Sequence, residues 1–221
     1  MMSWQNVDLF GLESTWFSEE LRTVIVPLFE RGDEKLAKWE EGRRESLDKM
    51  LLEANHDEAE RQNAQALADL EDMHNIQRGQ VLGAAALHYL YSTLKTRLKE
   101  LGRYFDQTHP RAQRGYAGKS ELDRLRNEFG ERFTIDFTKS PHFLSISELA
   151  LARNAGIHLS VETMTEYIEK VKAPRFWDGG EFRVRREPFV EVLSEAERFF
   201  GWVVESLIPI RKAAAGARQA V

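Results

Sequence analysis

The chain has 221 residues, of which 42% are hydrophobic, and a formal net charge of −5. This is enough length and apolar content to bury a core in one large domain or two small ones. It contains no cysteine, which excludes disulfides, a cysteine nucleophile, a thiolate zinc site and iron–sulfur clusters. No run approaches the roughly 18 apolar residues of a membrane helix, and the first residues do not resemble a signal peptide. We therefore expect a cytoplasmic protein.

Charge is distributed unevenly along the chain. Positions 30–72 hold 14 acidic and 7 basic residues, whereas positions 95–126 hold 9 basic and 4 acidic residues. Each segment taken alone is typical of a solvated helix face. The overall acidity argues against a protein that coats nucleic acid, but the basic segment indicates where a polyanion would lie.

Helices are predicted throughout the first third of the chain. Positions 18–30 begin with Ser–Glu before an apolar run, and Pro27 is expected to bend or end that helix. Positions 33–74 are rich in Glu, Lys, Ala, Leu and Gln, which predicts one or two long, largely solvated helices with a break near Asn55 and His56. Their sparse apolar anchors are Trp39, Leu47, Leu51, Leu67 and Leu70.

Positions 80–101 form the most apolar predicted helix of the first half. Leucines recur there at spacings of three and four, which places one stripe against a core. His88 lies beside this stripe and is expected to be a core histidine. A loop is predicted after Gly102 and a further helix over 120–133. The stripe consists of Leu87, Leu90, Leu94, Leu98 and Leu101.

The second half is predicted to begin with a helix opened by Pro141, a position where proline is well tolerated. Gly156 is expected to interrupt that helix. Thr163 and Glu166 have the spacing of a capping box, which predicts the start of the next helix there.

The last part of the chain is predicted to combine a short hairpin with a closing helix. Aromatic and β-branched residues surround Asp178, Gly179 and Gly180, which predicts a β-hairpin near 176–185. An amphipathic helix follows, and the Ala-rich tail at 209–221 is expected to be flexible.

Arg153, Asn154 and His158 stand within six residues of an apolar helical segment. At about 100° per residue, Asn154 and His158 share one face of a regular helix, while Arg153 and His158 differ by about 140°. A straight helix would not bring the arginine and the histidine together. Convergence requires a break at Gly156, or a second copy of the chain across a symmetry axis. On spacing alone, the commoner interpretation is a surface arginine, a capping asparagine and a structural histidine.

This segment has the form R-N-x-x-x-H and resembles the R-x(4 to 6)-H motif of HEPN domains, the "higher eukaryotes and prokaryotes nucleotide-binding" helical bundles. In that family the motif follows an amphipathic helix and precedes a turn and a further helix, as it does here. The resemblance covers positions 79–208. It leaves 1–78 as an N-terminal helical extension packed on the bundle or continuous with it, and 209–221 as the tail.

The resemblance implies an all-α fold and a metal-independent endoribonuclease, of the kind found in toxin–antitoxin, phage-defence and RNA-processing systems. RNA supplies its own nucleophile, the 2′-OH, so the enzyme needs only to position it, transfer protons and stabilise charge on phosphate. His158 would transfer protons near neutral pH. Arg153 would stabilise the transition state, and Asn154 would orient the histidine or the phosphate. The products would carry a 2′,3′-cyclic phosphate and a 5′-hydroxyl.

HEPN domains commonly dimerise with their motifs facing across a cleft, so the resemblance also implies a homodimer. The basic segment is the candidate wall of an RNA groove, in which Tyr104, Phe105 and Tyr116 either stack on bases or anchor the core. The candidate RNA-binding residues are Lys95, Arg97, Arg103, Arg111, Arg114 and Lys119.

Two features bear on activity. Many HEPN relatives carry an acidic residue near the position of Lys95. Glu148 is either the carboxylate that substitutes for it or a solvated helix glutamate. None of the six histidines forms H-x-x-x-H or H-E-x-x-H, and no phosphate-binding glycine loop occurs, so neither a metal nor a cofactor is expected.

Two other functions are compatible with the sequence. Some HEPN domains have lost activity and serve as nucleotide- or protein-binding dimerisation modules, often beside a nucleotidyltransferase. The acidic helices at 33–72 would then be the docking surface for such a protein, and an antitoxin is a further possible partner of the chain. A structural helical protein with a chance motif is the third possibility.

Overall fold

The computed structural model describes residues 17–19, 21–53, 58–108, 116–178 and 180–219. The described part is mostly helical with a single two-stranded hairpin, which confirms the expected all-α class with a short β-hairpin. None of its helices is both long and apolar enough to span a membrane. In chain order the elements are a π-helical turn at Leu21–Ile25, helix α1 at Val26–Glu53, α2 at Glu58–Thr108, α3 at Glu121–Phe133, a 3-10 turn at Phe137–Lys139, α4 at Phe143–His158, α5 at Val161–Lys170, strands β1 at Trp177–Asp178 and β2 at Glu181–Phe182, and α6 at Arg186–Gln219.

The first two helices form a long pair. At 1.5 Å per residue, α1 extends about 42 Å and α2 about 77 Å. The leucine stripe on α2 is buried as predicted, whereas Leu67 and Leu70 are 52% and 49% exposed and do not anchor the N-terminal half of α2 to a core. The expected boundary between 78 and 79 lies within α2, which continues through it without a break. The predicted break at Asn55 and His56 lies outside the described residues, between the end of α1 and the start of α2.

Pro27 does not end the first helix. It is the second residue of α1, directly after the π-helical turn, where the missing N–H is least disruptive. Pro209 likewise lies inside α6, which continues to Gln219. The tail predicted to begin at position 209 is therefore helical as far as Gln219.

The prediction that Gly156 interrupts its helix is wrong. Helix α4 continues through Gly156 and ends after His158, where Leu159 takes the left-handed conformation with φ 46°. Gly156 is buried because α4 touches its neighbours there: an added Cβ would lie 2.9 Å from the Ala84 methyl and 3.0 Å from the Phe182 ring. The glycine permits close helix packing and does not break the helix.

The next helix begins earlier than the predicted capping box. Ser160 is the N-cap of α5, and its hydroxyl accepts a hydrogen bond from the backbone N–H of Thr163. Thr163 therefore lies in the first turn of the helix and is not its cap. Ser160 and Thr163 have the same spacing as the predicted pair of Thr163 and Glu166, three positions earlier in the chain.

The core lies where α1, α2, α4 and α6 meet, and α2 and α4 share the most extensive contact. Aromatic rings dominate it: Phe29 stacks on Phe189 with centroids 4.6 Å apart, and Phe17 packs on Phe200 at 4.7 Å. Burial of such rings is the largest hydrophobic contribution a side chain can make to folding. These two ring pairs join α6 to α1 and to the segment before the π-helical turn.

Candidate functional site

Helix α4 presents the R-N-x-x-x-H motif at the edge of its buried face. The buried face is formed by Ile146, Leu149, Ala152 and Ala155, which recur every three residues. Arg153 follows Ala152 by about 100° around the helix, which turns its side chain toward the flank beside α2. Arg153 and Asn154 are accordingly half-buried.

The Arg153 guanidinium is held by two hydrogen bonds. Its Nη1 donates to Asn154 Oδ1 at 2.8 Å, and its Nε donates to His88 Nδ1 on α2 at 3.1 Å. Nη2 has no hydrogen-bond partner among the described residues. The planar group is therefore fixed from two nitrogens while one donor nitrogen is left for a ligand.

The prediction that His88 is a core histidine is wrong. His88 is exposed, although its neighbours Leu87 and Leu90 are fully buried. One position along a helix is a rotation of about 100°, which is sufficient to carry a side chain from the core to its margin. At that margin His88 faces Arg153.

The bond with Arg153 fixes the protonation state of His88. An arginine is always a donor, so Nδ1 must be unprotonated and the ring proton is on Nε2, 3.5 Å from Ser92 Oγ. The pKa of His88 is lowered by partial burial and by the positive charges of Arg153 and Lys95. A neutral imidazole at physiological pH is consistent with its role as acceptor.

His158 lies apart from Arg153. It is exposed in the last turn of α4 and has no hydrogen bond or ion pair within the described part of the chain. Because the helix is unbroken, the two residues are separated by about 140° around the axis and about 7.5 Å along it. Exposed apolar side chains flank His158, with Ile157 40%, Leu159 47% and Val161 78% exposed.

Glu148 does not take the place of the carboxylate expected near Lys95. It is 5% exposed and accepts hydrogen bonds from Arg175 Nε at 2.9 Å, the Arg175 backbone N–H at 2.8 Å and the Tyr167 hydroxyl at 3.1 Å. Burial raises the pKa of Tyr167, and the nearby Glu148 carboxylate acts in the same direction. Glu148 therefore joins α4 to α5 and to the segment before the hairpin.

A glutamate on α3 neutralises part of the basic segment. Glu121 lies 3.0 Å from Lys95 Nζ and 3.4 Å from Lys99 Nζ. Partial burial opposes ionisation of Glu121, but the hydrogen bond and charge of Lys95, together with Lys99, lower its pKa overall. The nearby Tyr91 hydroxyl is buried, which raises its pKa to about 12. Lys95 is thus committed to an ion pair.

The other candidate RNA-binding residues differ in their environments. Arg97 pairs with Glu100 at 3.0 Å, whereas Arg103 and Lys119 are exposed. Arg111 and Arg114 lie outside the described residues, as does the side chain of Phe105. Tyr104 packs against the core and Tyr116 is half-buried.

His88 is the site residue that the sequence pattern did not predict. Its position beside a leucine stripe is typical of a core residue, and only the register of α2 against α4 brings it to Arg153.

Searches of this chain against protein-family models, curated proteins and solved structures find no match.

Proposed function

We propose that the chain is a metal-independent endoribonuclease of HEPN type. The observation that carries the proposal is Arg153: its guanidinium is held by Asn154 and by α2, and Nη2 is left open on the same helix as an exposed histidine. A fixed arginine donor is suited to two phosphate oxygens, and an exposed imidazole is suited to proton transfer. Together the two groups would supply the proton transfer and the charge stabilisation that attack by the 2′-OH of the RNA requires.

The proposed reaction is a transesterification. An imidazole removes the 2′-OH proton as the 2′ oxygen attacks phosphorus, and the bond from phosphorus to the 5′ oxygen breaks. The departing 5′ oxygen takes a proton, which yields a 2′,3′-cyclic phosphate and a 5′-hydroxyl. Arg153 balances the charge that develops on the non-bridging oxygens, and His158 transfers the protons.

The geometry favours a site shared by two copies of the chain. Arg153 and His158 diverge on one unbroken helix, so an isologous contact between two α4 helices is the way left to bring Arg153 of one copy to His158 of the other. The exposed Ile157, Leu159 and Val161 beside His158 provide apolar area for such a contact. A homodimer is therefore part of the proposal.

The first test is cleavage of end-labelled single-stranded RNA in excess EDTA. We expect the wild type to produce cyclic phosphate ends, and Arg153→Ala and His158→Ala to lose at least about 100-fold in rate, the usual scale of such contributions. Matched controls are Arg183→Ala, an exposed arginine near the hairpin, and His142→Gln, a histidine paired with Glu195. Both controls should cleave like the wild type.

Mixing the two inactive variants tests the shared site. If Arg153 of one copy acts with His158 of the other, random reassociation of Arg153→Ala with His158→Ala should restore about a quarter of the wild-type rate, because half of the dimers are mixed and each contains one complete pair. A pair within one chain would restore nothing. If the folded, dimeric wild type leaves several RNA types intact, the nuclease is rejected in favour of a binding module.

A further inference from the structure

His88 on α2 contacts Arg153, although the proposed reaction uses only the motif on α4. His88, unlike His158, lies within hydrogen-bond distance of Arg153 in the same chain, at 3.1 Å. The bond crosses between the two helices that share the most extensive contact in the fold. A contact on such a rigid support can define the direction of a long side chain.

We propose that His88 is a positioning residue for Arg153: its neutral imidazole accepts a hydrogen bond from Nε–H and directs the guanidinium toward the phosphate, and protonation of the ring releases the guanidinium. The proposal rests on the proposed function for its consequence in catalysis. The contact itself exists independently of any substrate.

The two acceptors around Arg153 are not equivalent. Asn154 Oδ1 accepts at any pH, so it holds Nη1 under all conditions. His88 Nδ1 accepts only while it is unprotonated, since a protonated imidazole is a donor at both nitrogens. Protonation therefore removes one of the two bonds and also places a positive charge against Arg153.

The charges around His88 favour its neutral form. Arg153 on α4 and Lys95 on α2 are the charged groups that face it, and both disfavour the imidazolium. Ser92 on α2 and Asn154 on α4 are uncharged, and the nearby carboxylate on α3, Glu121, is paired with Lys95 and Lys99.

The resulting pH dependence has a definite sign. Burial, Arg153 and Lys95 lower the pKa of His88 below its ordinary value near 6.5, so the bond to Arg153 is intact at neutral pH. As pH falls through this lowered pKa, the ring becomes protonated and the bond is lost. His88 therefore orients Arg153 at pH values above the pKa of His88 and no longer does so below it.

The first experiment measures the contact without a substrate. Nitrogen-15 NMR of the histidine rings should show His88 with its proton on Nε2 and a pKa below 6.5 in the wild type. Replacing the neighbour in Arg153→Gln should raise that pKa toward 6.5, whereas Arg183→Ala should leave it unchanged. An unchanged pKa and tautomer in Arg153→Gln would overturn the contact, whether or not the protein cleaves RNA.

The second experiment measures the consequence for catalysis. His88→Ala should lower kcat/KM for RNA by about 10- to 100-fold, the scale expected when a catalytic group is displaced by about 1 Å. His88→Gln keeps a side-chain carbonyl acceptor and should recover most of the rate. The loss of rate caused by protonation of His88 should disappear from the acid limb of its pH profile, whereas the dependence that comes from the general base should remain. His142→Gln should keep both rate and profile.

These outcomes separate the two proposals. If the wild type cleaves RNA and His88→Ala has wild-type kinetics and pH profile, the positioning role is wrong and the nuclease stands. If the wild type cleaves nothing while Arg153→Gln shifts the pKa of His88, the nuclease is wrong and the positioning contact stands.

Discussion

Glu148 is a buried carboxylate whose hydrogen bonds all lead away from the candidate site. It accepts from Arg175 and Tyr167, and Arg175 also donates to Ser145 Oγ at 2.7 Å. The Tyr167 hydroxyl in turn accepts from the backbone N–H of Phe176 at 3.0 Å. Such a network stabilises a fold only while every member keeps its partner, since a buried charge left alone is costly.

Glu148→Ala is therefore expected to lower the free energy of unfolding by about 3 kcal/mol, the usual effect of removing one partner of a buried pair. Glu148→Gln retains an acceptor and should cost less. Chemical denaturation monitored by circular dichroism measures both, with the exposed Glu131→Ala as a control expected within about 0.5 kcal/mol of the wild type. Equal midpoints for Glu148→Ala and Glu131→Ala would show that the network contributes nothing.

At the scale of helices, local signals and contact signals behave differently. Ser120 caps α3 with a complete capping box, in which its hydroxyl accepts from Asp123 N and the Asp123 carboxylate accepts from Ser120 N. The helix predicted over 120–133 is observed at Glu121–Phe133, and its start is set by a signal contained in a few adjacent residues. Gly156 was misinterpreted because its role depends on Ala84 and Phe182, which are distant in sequence.

Gly156→Ala should destabilise the protein by about 1–3 kcal/mol, because the new methyl would overlap Ala84 and Phe182 in a packed region. This loss outweighs the gain of up to about 1 kcal/mol that alanine offers in a helix. Thermal unfolding measures the effect.

Gly201→Ala on α6 is the matched control, since an added Cβ there meets nothing within 4 Å. It should stabilise the protein by about 0.5–1 kcal/mol. The same substitution is thus expected to have opposite signs at two helical glycines. A stabilised Gly156→Ala variant would mean that α2 and α4 are not in close contact at this point.

At the scale of the whole molecule, the long helices α1 and α2 have a packed end and a solvated end. The leucine stripe from Leu87 to Leu101 is no more than 2% exposed, whereas Leu52 on α1 and Leu67 and Leu70 on α2 are about half exposed or more. Helices longer than a few turns owe most of their stability to the burial of an apolar face. Stability should therefore be unequal along α2.

Backbone amides at positions 62–70 should exchange with deuterium at least about 10-fold faster than those at 87–101, which is a difference of about 1.4 kcal/mol in opening free energy. Peptide-resolved exchange followed by mass spectrometry measures both segments in one sample. Equal protection of the two segments would contradict the expectation that positions 62–70 are stabilised mainly by helical hydrogen bonds. It would require a partner or a second copy of the chain packed along that part of α2.

The sequence by itself determined the helical class, the buried leucine stripe on α2, the start of α3 and the hairpin around Asp178. Each of these depends on residues within one or two turns of each other, where periodicity and turn chemistry act directly. It also brought attention to Arg153, Asn154 and His158, but it could not show how they are arranged.

Only the tertiary structure decided which side chains meet across elements. The register of α4 against α2 places His88 beside Arg153 and brings Gly156 against Ala84. Because α4 continues unbroken through Gly156, His158 stays about 140° around the axis from Arg153. A separate contact joins Glu148 on α4 to Arg175 in the segment before the hairpin, 27 residues away in the chain. Contacts between elements depend on the register in which their buried faces pack. A shift of α4 by one residue would rotate its side chains by about 100° and would change them.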